Sequence, residues 1–178
     1  SGISISSQGN NINGNIITAS SVNGISILVG GNNNQIGVLS SNTITGNTGY
    51  GISISSANGN EISNNTISTN SLGGVFLSNS TGTMTGNNIS GNAGYGISLN
   101  GGTGTQVSNN IIKTNTSGGI FLSNGTGSFT GNTITANTGF GLSVNGSAAR
   151  QITNNTLGTN SLGGITITNS SGNLTGNT

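Results

Sequence analysis

Apolar residues recur along this chain in short alternating groups, separated by glycine, asparagine, serine and threonine. The clearest group is a glycine followed by an aliphatic–x–aliphatic triplet, as in Gly96-Ile97-Ser98-Leu99. Alternation with a period of two predicts a short β-strand that has one buried face. The group occurs eight times, and its copies begin at Gly2, Gly24, Gly51, Gly74, Gly96, Gly119, Gly141 and Gly164.

The spacing between these glycines is nearly constant. Successive intervals are 22, 27, 23, 22, 23, 22 and 23 residues. The single long interval contains a polar run, so we predict an insertion loop around residues 30–41. A fixed period of this length is typical of a solenoid, in which each unit buries its apolar face against the next unit.

Two further apolar positions recur in each repeat. One follows an asparagine by two residues, as Ile89 follows Asn87, and the other precedes that asparagine by three residues, as Met84 does. In the second repeat the same spacing selects Leu39. Each repeat therefore contains three short extended segments, and no segment has the length of an ordinary helix.

Stacking these segments predicts an all-β fold, a three-sided parallel solenoid that forms a single domain over residues 1–178. It has about eight coils of 22–23 residues, where a coil is one turn of the solenoid. Tyr50, Tyr95 and Phe140 precede the glycine only in alternate coils, so the full repeat is a double coil of 45 residues.

Asparagines also occur in fixed register, which predicts that they face inward. A buried amide must be hydrogen-bonded, and stacked asparagines can bond to one another from coil to coil. We therefore predict structural asparagine ladders at Asn42, Asn65, Asn87, Asn110, Asn132 and Asn155, and at Asn47, Asn70, Asn92, Asn115, Asn137 and Asn160.

The pattern Asn-x-Ile-x-x-Asn-x-x-x-Gly-Ile-x-Leu, found at Asn87 through Leu99, resembles the right-handed parallel β-helix repeat. This resemblance covers nearly the whole chain and implies a right-handed coil. The family includes pectate-lyase-like sugar enzymes, carbohydrate-binding modules and bacterial surface proteins. Its enzymes use acidic and basic residues on one outer face.

Charged residues are scarce: the chain contains Glu61, Lys113 and Arg150, with no Asp, His or Cys, and its net charge is +1. General acid–base catalysis and metal sites need paired carboxylates, histidines or thiols. Nucleic-acid binding needs a basic surface. We therefore expect no enzyme activity, no catalytic residue, no metal, no cofactor, no nucleic-acid partner and, because no long apolar run occurs, no membrane span.

Several outward positions are candidates for contacts. Phe76 and Phe121, with Tyr50, Tyr95 and Phe140 nearby, predict a contact stripe along one side. Asn79, Asn124 and Asn169 begin sequons, 45 residues apart, and are candidate glycosylation sites in exposed turns.

These features favour a non-enzymatic structural module of a secreted or cell-surface fibre, filament or stalk. The chain has no evident capping segment, so it is either part of a longer repeat protein or it stacks end to end. Its expected partners are therefore itself, head to tail or laterally, or neighbouring repeats. A carbohydrate-binding or adhesion module, with glycans as partners, is one alternative. An ice-binding protein is another, because threonines recur on one outer face, as at Thr43 and Thr45.

Overall fold

The computed structural model describes the backbone of residues 1–178 and the side chains of all of them except 149 and 150. The chain winds into three parallel sheets. Each of the first six coils contributes one strand to each sheet in turn, and the last two coils contribute strands to the first two sheets. The first sheet contains Ile3–Ile5, Ile25–Ile27, Tyr50–Ser55, Gly73–Ser78, Tyr95–Asn100, Gly118–Ser123, Phe140–Asn145 and Gly163–Thr168.

The other two sheets follow the same order. The second sheet contains Asn11–Ile12, Gln35–Ile36, Asn60–Ser63, Gly82–Thr85, Thr103–Ser108, Thr126–Thr130, Ala148–Thr153 and Ser171–Thr175. The third sheet contains Ile16–Thr18, Thr43–Thr45, Thr66–Ser68, Asn88–Ser90, Ile111–Lys113 and Thr133–Thr135. The predicted three-sided, right-handed parallel β-helix is confirmed. In the described residues, no helix is long and apolar enough to cross a bilayer.

Like residues stack on like residues because the strands pair in register. Val75 pairs with Ile52 on one side and with Ile97 on the other. In the third sheet, Ile89 pairs with Ile67 and Ile112 in the same way. The aliphatic positions of the inner coils are almost fully buried, so one continuous apolar core runs along the solenoid axis.

The corner between the second and third sheets explains why the period is 45 residues. The residue at this corner has a left-handed backbone, with φ of 59° at Asn64, 68° at Gly86, 54° at Asn109 and 66° at Gly131. Asparagine tolerates this conformation better than most residues. A Cβ atom on Gly131 would lie 2.5 Å from the Oδ1 atom of Asn109. Each corner asparagine therefore requires a glycine in the next coil, so two coils form the repeat.

The long second repeat differs in one respect from the sequence expectation. Within residues 30–41, Gln35–Ile36 is a strand of the second sheet, and Ile36 is fully buried between Ile12 and Ile62. Leu39, which the regular spacing places in the core, is 80% exposed. The expectation for Leu39 was wrong because the extra residues lie partly between Ile36 and the ladder asparagine Asn42.

Candidate functional site

Two columns of buried asparagine side chains link successive coils of the solenoid. In each column the Nδ2 atom of one asparagine donates to the Oδ1 atom of the asparagine in the next coil, at 2.8–3.1 Å in the first and 2.9–3.0 Å in the second. The structure places all twelve predicted asparagines in these columns, and all are buried. The first column also includes Asn15 and Asn177.

The ladder asparagines leave little capacity for a ligand. Their Nδ2 atoms also donate to backbone carbonyls, as Asn110 does to Met84 at 3.0 Å. Their Oδ1 atoms accept from both the backbone N–H and the amide of the asparagine one coil earlier, as Asn110 does from Asn87. The two columns are therefore structural, and a binding site has to be sought on the outer faces.

A third, shorter ladder was missed in the sequence. Asn10 donates to the Oδ1 atom of Asn34, which in turn donates to that of Asn60. The next coil has Gly82 at the position that pairs with Asn60, so the ladder ends there. The Nδ2 atom of Asn60 has no hydrogen-bond partner among the described residues. A signal was available, because each of these asparagines precedes a core isoleucine by two positions.

The outer face of the first sheet carries the aromatic residues. The ring of Tyr50 stacks on Phe76, with centroids 4.8 Å apart and an interplanar angle of 14°. Tyr95 stacks on Phe121 in the same way, at 5.1 Å and 18°. All four rings are half-buried. Phe140 begins the third copy, where Thr166 takes the place of the second ring.

Each tyrosine ring lies over a glycine of the next coil. Tyr50 pairs with Gly73, and Tyr95 pairs with Gly118. A Cβ atom on Gly73 would lie 3.2 Å from two carbons of the Tyr50 ring. The predicted stripe residues are thus brought together as two-ring units that repeat every two coils. Whether they form a contact stripe stays a prediction.

Half-buried polar residues lie beside the rings in the same strands. Ser53 and Ser98 pair with Phe76 from the coils below and above it. Farther along these strands Ser78 pairs with Asn100, which is exposed. The face therefore combines apolar rings with hydroxyl and amide groups that can donate and accept hydrogen bonds.

The outer face of the second sheet is polar. Gln35, Glu61 and Thr83 are aligned across successive coils, and Gln106 and Ser128 continue the row. The Glu61 carboxylate accepts a hydrogen bond of 3.2 Å from the Ser63 hydroxyl in the same strand. In the part of the chain that is described, Glu61 is the one acidic residue, and this sheet brings no second carboxylate to it.

The outer face of the third sheet carries the predicted hydroxyl rows. Thr43 pairs with Thr66, and Thr45 pairs with Ser68. Ile111 and Lys113 interrupt the rows, and both are exposed. The array is continuous only over short stretches, and ice binding stays a prediction.

The three sequon asparagines occupy equivalent corners between the first and second sheets. Asn79, Asn124 and Asn169 are exposed, with φ of 47°, 54° and 50°. Their left-handed backbone explains why asparagine or glycine recurs at this corner. Their glycosylation stays a prediction.

The charged side chains that the structure describes lie on different sheets. Glu61 lies on the second sheet and Lys113 on the third. Among the described side chains no group of three or more histidine, cysteine, aspartate or glutamate residues could hold a metal ion. The first-sheet face, with its stacked rings and flanking hydroxyl groups, is therefore the surface best suited to a ligand.

Comparisons with known proteins agree with this architecture. The family model described as "Right handed beta helix region" matches residues 1–157. A search of curated protein sequences found no match.

Among solved structures, the periplasmic alginate epimerase AlgG superposes on 97% of this chain and 46% of its own chain, with a TM-score of 0.92 and 21% identity. Its T265N T268M double mutant superposes with a TM-score of 0.89 and 20% identity over the same shares. An alginate lyase from Paenibacillus sp. str. FPU-7 reaches a TM-score of 0.46 at 12% identity, over 97% of this chain and 87% of its own, which does not establish a shared fold. The chain thus spans about half the length of the epimerase structures that it matches.

The likeness to the epimerase contradicts the expectation that the chain is not an enzyme. That expectation rested on the lack of histidine, cysteine and a second carboxylate in this chain. An enzyme contains a coil stack that superposes on nearly all of this chain, and more than half of that enzyme lies outside the match. The scarcity of charged residues in a stack of this length therefore does not exclude an enzyme.

Proposed function

Because the chain belongs to the right-handed β-helix family, we propose that it is the polysaccharide-binding coil stack of an extracytoplasmic carbohydrate-active protein, secreted or held at the cell surface. The observation that carries this proposal is the series of stacked rings on the outer face of the first sheet. The shared fold with a periplasmic alginate epimerase supports it, because in that enzyme a coil stack of this shape is part of a protein that acts on a polysaccharide.

The chemistry of the face is suited to sugars. A pyranose ring has an apolar face of C–H groups and a rim of hydroxyl groups. The Tyr95–Phe121 unit offers an apolar surface for the C–H groups, and Ser98 and Asn100 offer donors and acceptors for the hydroxyl groups. A polysaccharide lying along the solenoid axis meets the same set of groups again after two coils.

The test is affinity electrophoresis of the chain through gels that contain soluble polysaccharides. Binding slows migration in proportion to affinity, and a gel without polysaccharide gives the reference mobility. We expect retardation by at least one polysaccharide and its loss when Tyr95 and Phe121 are both replaced by alanine. Equal mobility in every gel would refute the proposal.

A mechanical role in an extracellular fibre or stalk is a second candidate. The observation that favours it is the continuity of the two ladders, which link every inner coil to its neighbours by side-chain hydrogen bonds in addition to the backbone ladder. Electron microscopy of concentrated protein tests this role. Filaments of uniform width support it, and dispersed particles at every concentration count against it.

A further inference from the structure

The distribution of charged residues restricts the class of ligand that the first-sheet face can bind. Glu61 and Lys113, the two charged residues whose side chains are described, belong to the other two sheets, so the described residues place no charged side chain on this face. The outward residues beside the rings are uncharged and are mostly serine and asparagine, namely Ser53, Ser55, Ser78, Ser98, Asn100, Ser123, Ser143 and Asn145.

A polyuronate carries one carboxylate on every sugar. Bringing such a chain onto this face would remove carboxylates from water without a cation to pair with them, and that cost is large. Proteins that recognise carboxylates use arginine or lysine for this reason. An uncharged polysaccharide avoids this cost, because its hydroxyl groups need only neutral donors and acceptors.

The repeat length gives a second constraint. Tyr50–Phe76 and Tyr95–Phe121 are two coils apart, which is about 9.6 Å along the axis if each strand spacing is about 4.8 Å. One sugar of an extended chain is close in length to one strand spacing. A ring unit therefore recurs for every second sugar, and a straight chain of repeating disaccharides can contact successive units in the same orientation.

We propose that the first-sheet face binds an uncharged, extended polysaccharide along the solenoid axis and discriminates against polyuronates. This inference rests on the proposed function and names the ligand class of that same face. It separates this chain from the alginate epimerase whose coils it resembles, since alginate is a polyuronate.

The third copy of the repeat supplies a conservative test. Thr166 stands where Phe76 and Phe121 stand in the first two copies, so the fold already accepts threonine at this position. The double variant Phe76→Thr/Phe121→Thr removes one ring from each unit. The matched control is Ile111→Thr, which makes a similar apolar-to-threonine change at an exposed site of the third sheet.

Affinity electrophoresis at low and high salt measures how tightly the chain binds four polysaccharides. Mixed-linkage β-glucan and galactomannan are uncharged, whereas alginate and polygalacturonate are polyuronates. We expect the chain to bind a neutral polymer with an affinity that salt leaves unchanged. The double phenylalanine variant should bind about thirtyfold more weakly, because the two lost stacking contacts are together worth about 2 kcal/mol and each 1.4 kcal/mol is about tenfold in affinity. Ile111→Thr should bind like the parent chain.

Each contrary result has a distinct meaning. Tighter binding of alginate or polygalacturonate than of either neutral polymer overturns the ligand class and leaves the proposed function standing. Binding of a neutral polymer that the double variant retains overturns the assignment to this face. Absence of binding to all four polymers overturns the proposed function itself. If sedimentation shows a dimer that the double variant abolishes, the face is instead an interface between two copies of the chain.

Discussion

Asn110 illustrates how single residues stabilise the interior. Its Nδ2 atom lies 3.0 Å from the carbonyl oxygens of Met84 and Ser108 and from the Oδ1 atom of Asn132, so its two N–H groups donate to these three acceptors with one N–H shared. Its own Oδ1 atom accepts two hydrogen bonds from Asn87, each at 2.9 Å. A polar side chain with this many partners can be buried without a net cost, whereas its removal leaves those partners unsatisfied.

We predict that Asn110→Leu lowers the free energy of unfolding by about 3 kcal/mol or more, because each stranded buried group costs about 1–3 kcal/mol. The control Thr133→Ala removes an exposed side chain and should change it by less than about 0.5 kcal/mol. Urea unfolding followed by circular dichroism measures both. Equal midpoints would show that Asn110 is not held in a ladder.

The threonines at the corner between the third and first sheets are in an unfavourable conformation. Thr114 has φ of 55°, and Thr69 and Thr159 have φ of 53° and 57°. A left-handed backbone is rare for β-branched residues. The Thr114 hydroxyl donates to the carbonyl of Lys113 at 2.7 Å, which offsets part of the strain.

We predict that Thr114→Asn raises the free energy of unfolding by about 0.5–1 kcal/mol, because asparagine adopts this conformation at lower cost than threonine. Thr135→Asn makes the same replacement in a strand of ordinary backbone, where asparagine is disfavoured, and should give no gain. Thermal unfolding of the two variants checks the difference. A loss of stability in Thr114→Asn would show that the hydroxyl contact outweighs the strain.

At the scale of strands and corners, one packing arrangement recurs: a larger side chain in one coil packs over a glycine in the next coil. Tyr50 lies over Gly73, and Asn109 lies against Gly131. Neighbouring strands can then stay at the regular spacing while large side chains occupy alternate coils. The pairing shows why the period is 45 residues rather than 22 or 23.

We predict that Gly73→Ala destabilises the protein by about 1–3 kcal/mol, the usual cost of overpacking. The new Cβ atom would lie 2.9 Å from the Tyr95 carbonyl oxygen and 3.2 Å from the Tyr50 ring. Gly158→Ala is the control, because the nearest atom to its Cβ position is 4.0 Å away. Similar melting temperatures for the two variants would contradict the close packing of Tyr50 over Gly73.

Most of the fold could be predicted because its constraints are local and repeated. The positions of Ile97 and Leu99, and the register of Asn87 and Asn92, follow directly from the period. Leu39 could not be placed correctly, because an insertion breaks the spacing from which its position was predicted. The stacking of Tyr50 on Phe76 could not be predicted from the sequence either, since it depends on how far a side chain reaches from one coil to the next.

At the scale of the whole molecule, every inner strand is held by a neighbour on each side. Ile111–Lys113, for example, pairs with Asn88–Ser90 below and with Thr133–Thr135 above. This strand can leave the stack only if it breaks its backbone hydrogen bonds to both neighbouring strands and exposes the core residue Ile112. In a linear array of this kind, opening of one coil is resisted by its neighbours on both sides.

Resistance to trypsin follows from this arrangement. The chain contains two residues after which trypsin cuts, Lys113 and Arg150. Lys113 pairs with Ser90 and Thr135, and Arg150 lies at a bulge of the strand Ala148–Thr153, which is paired on both sides. A protease needs several residues in an extended, unpaired form, so cleavage requires local opening. We predict that the native chain stays intact over hours and is cut into three fragments in denaturant.

The rate of cleavage after Lys113 also reports on the ladder, because Asn110 precedes this strand directly. Asn110→Leu should accelerate the cut after Lys113 more than the cut after Arg150, while Thr133→Ala should leave both rates unchanged. Mass spectrometry of timed digests separates the two sites. Rapid cleavage of the native parent chain at Lys113 would mean that Ile111–Lys113 is not held between its neighbours, and the stack would not be continuous through the third sheet.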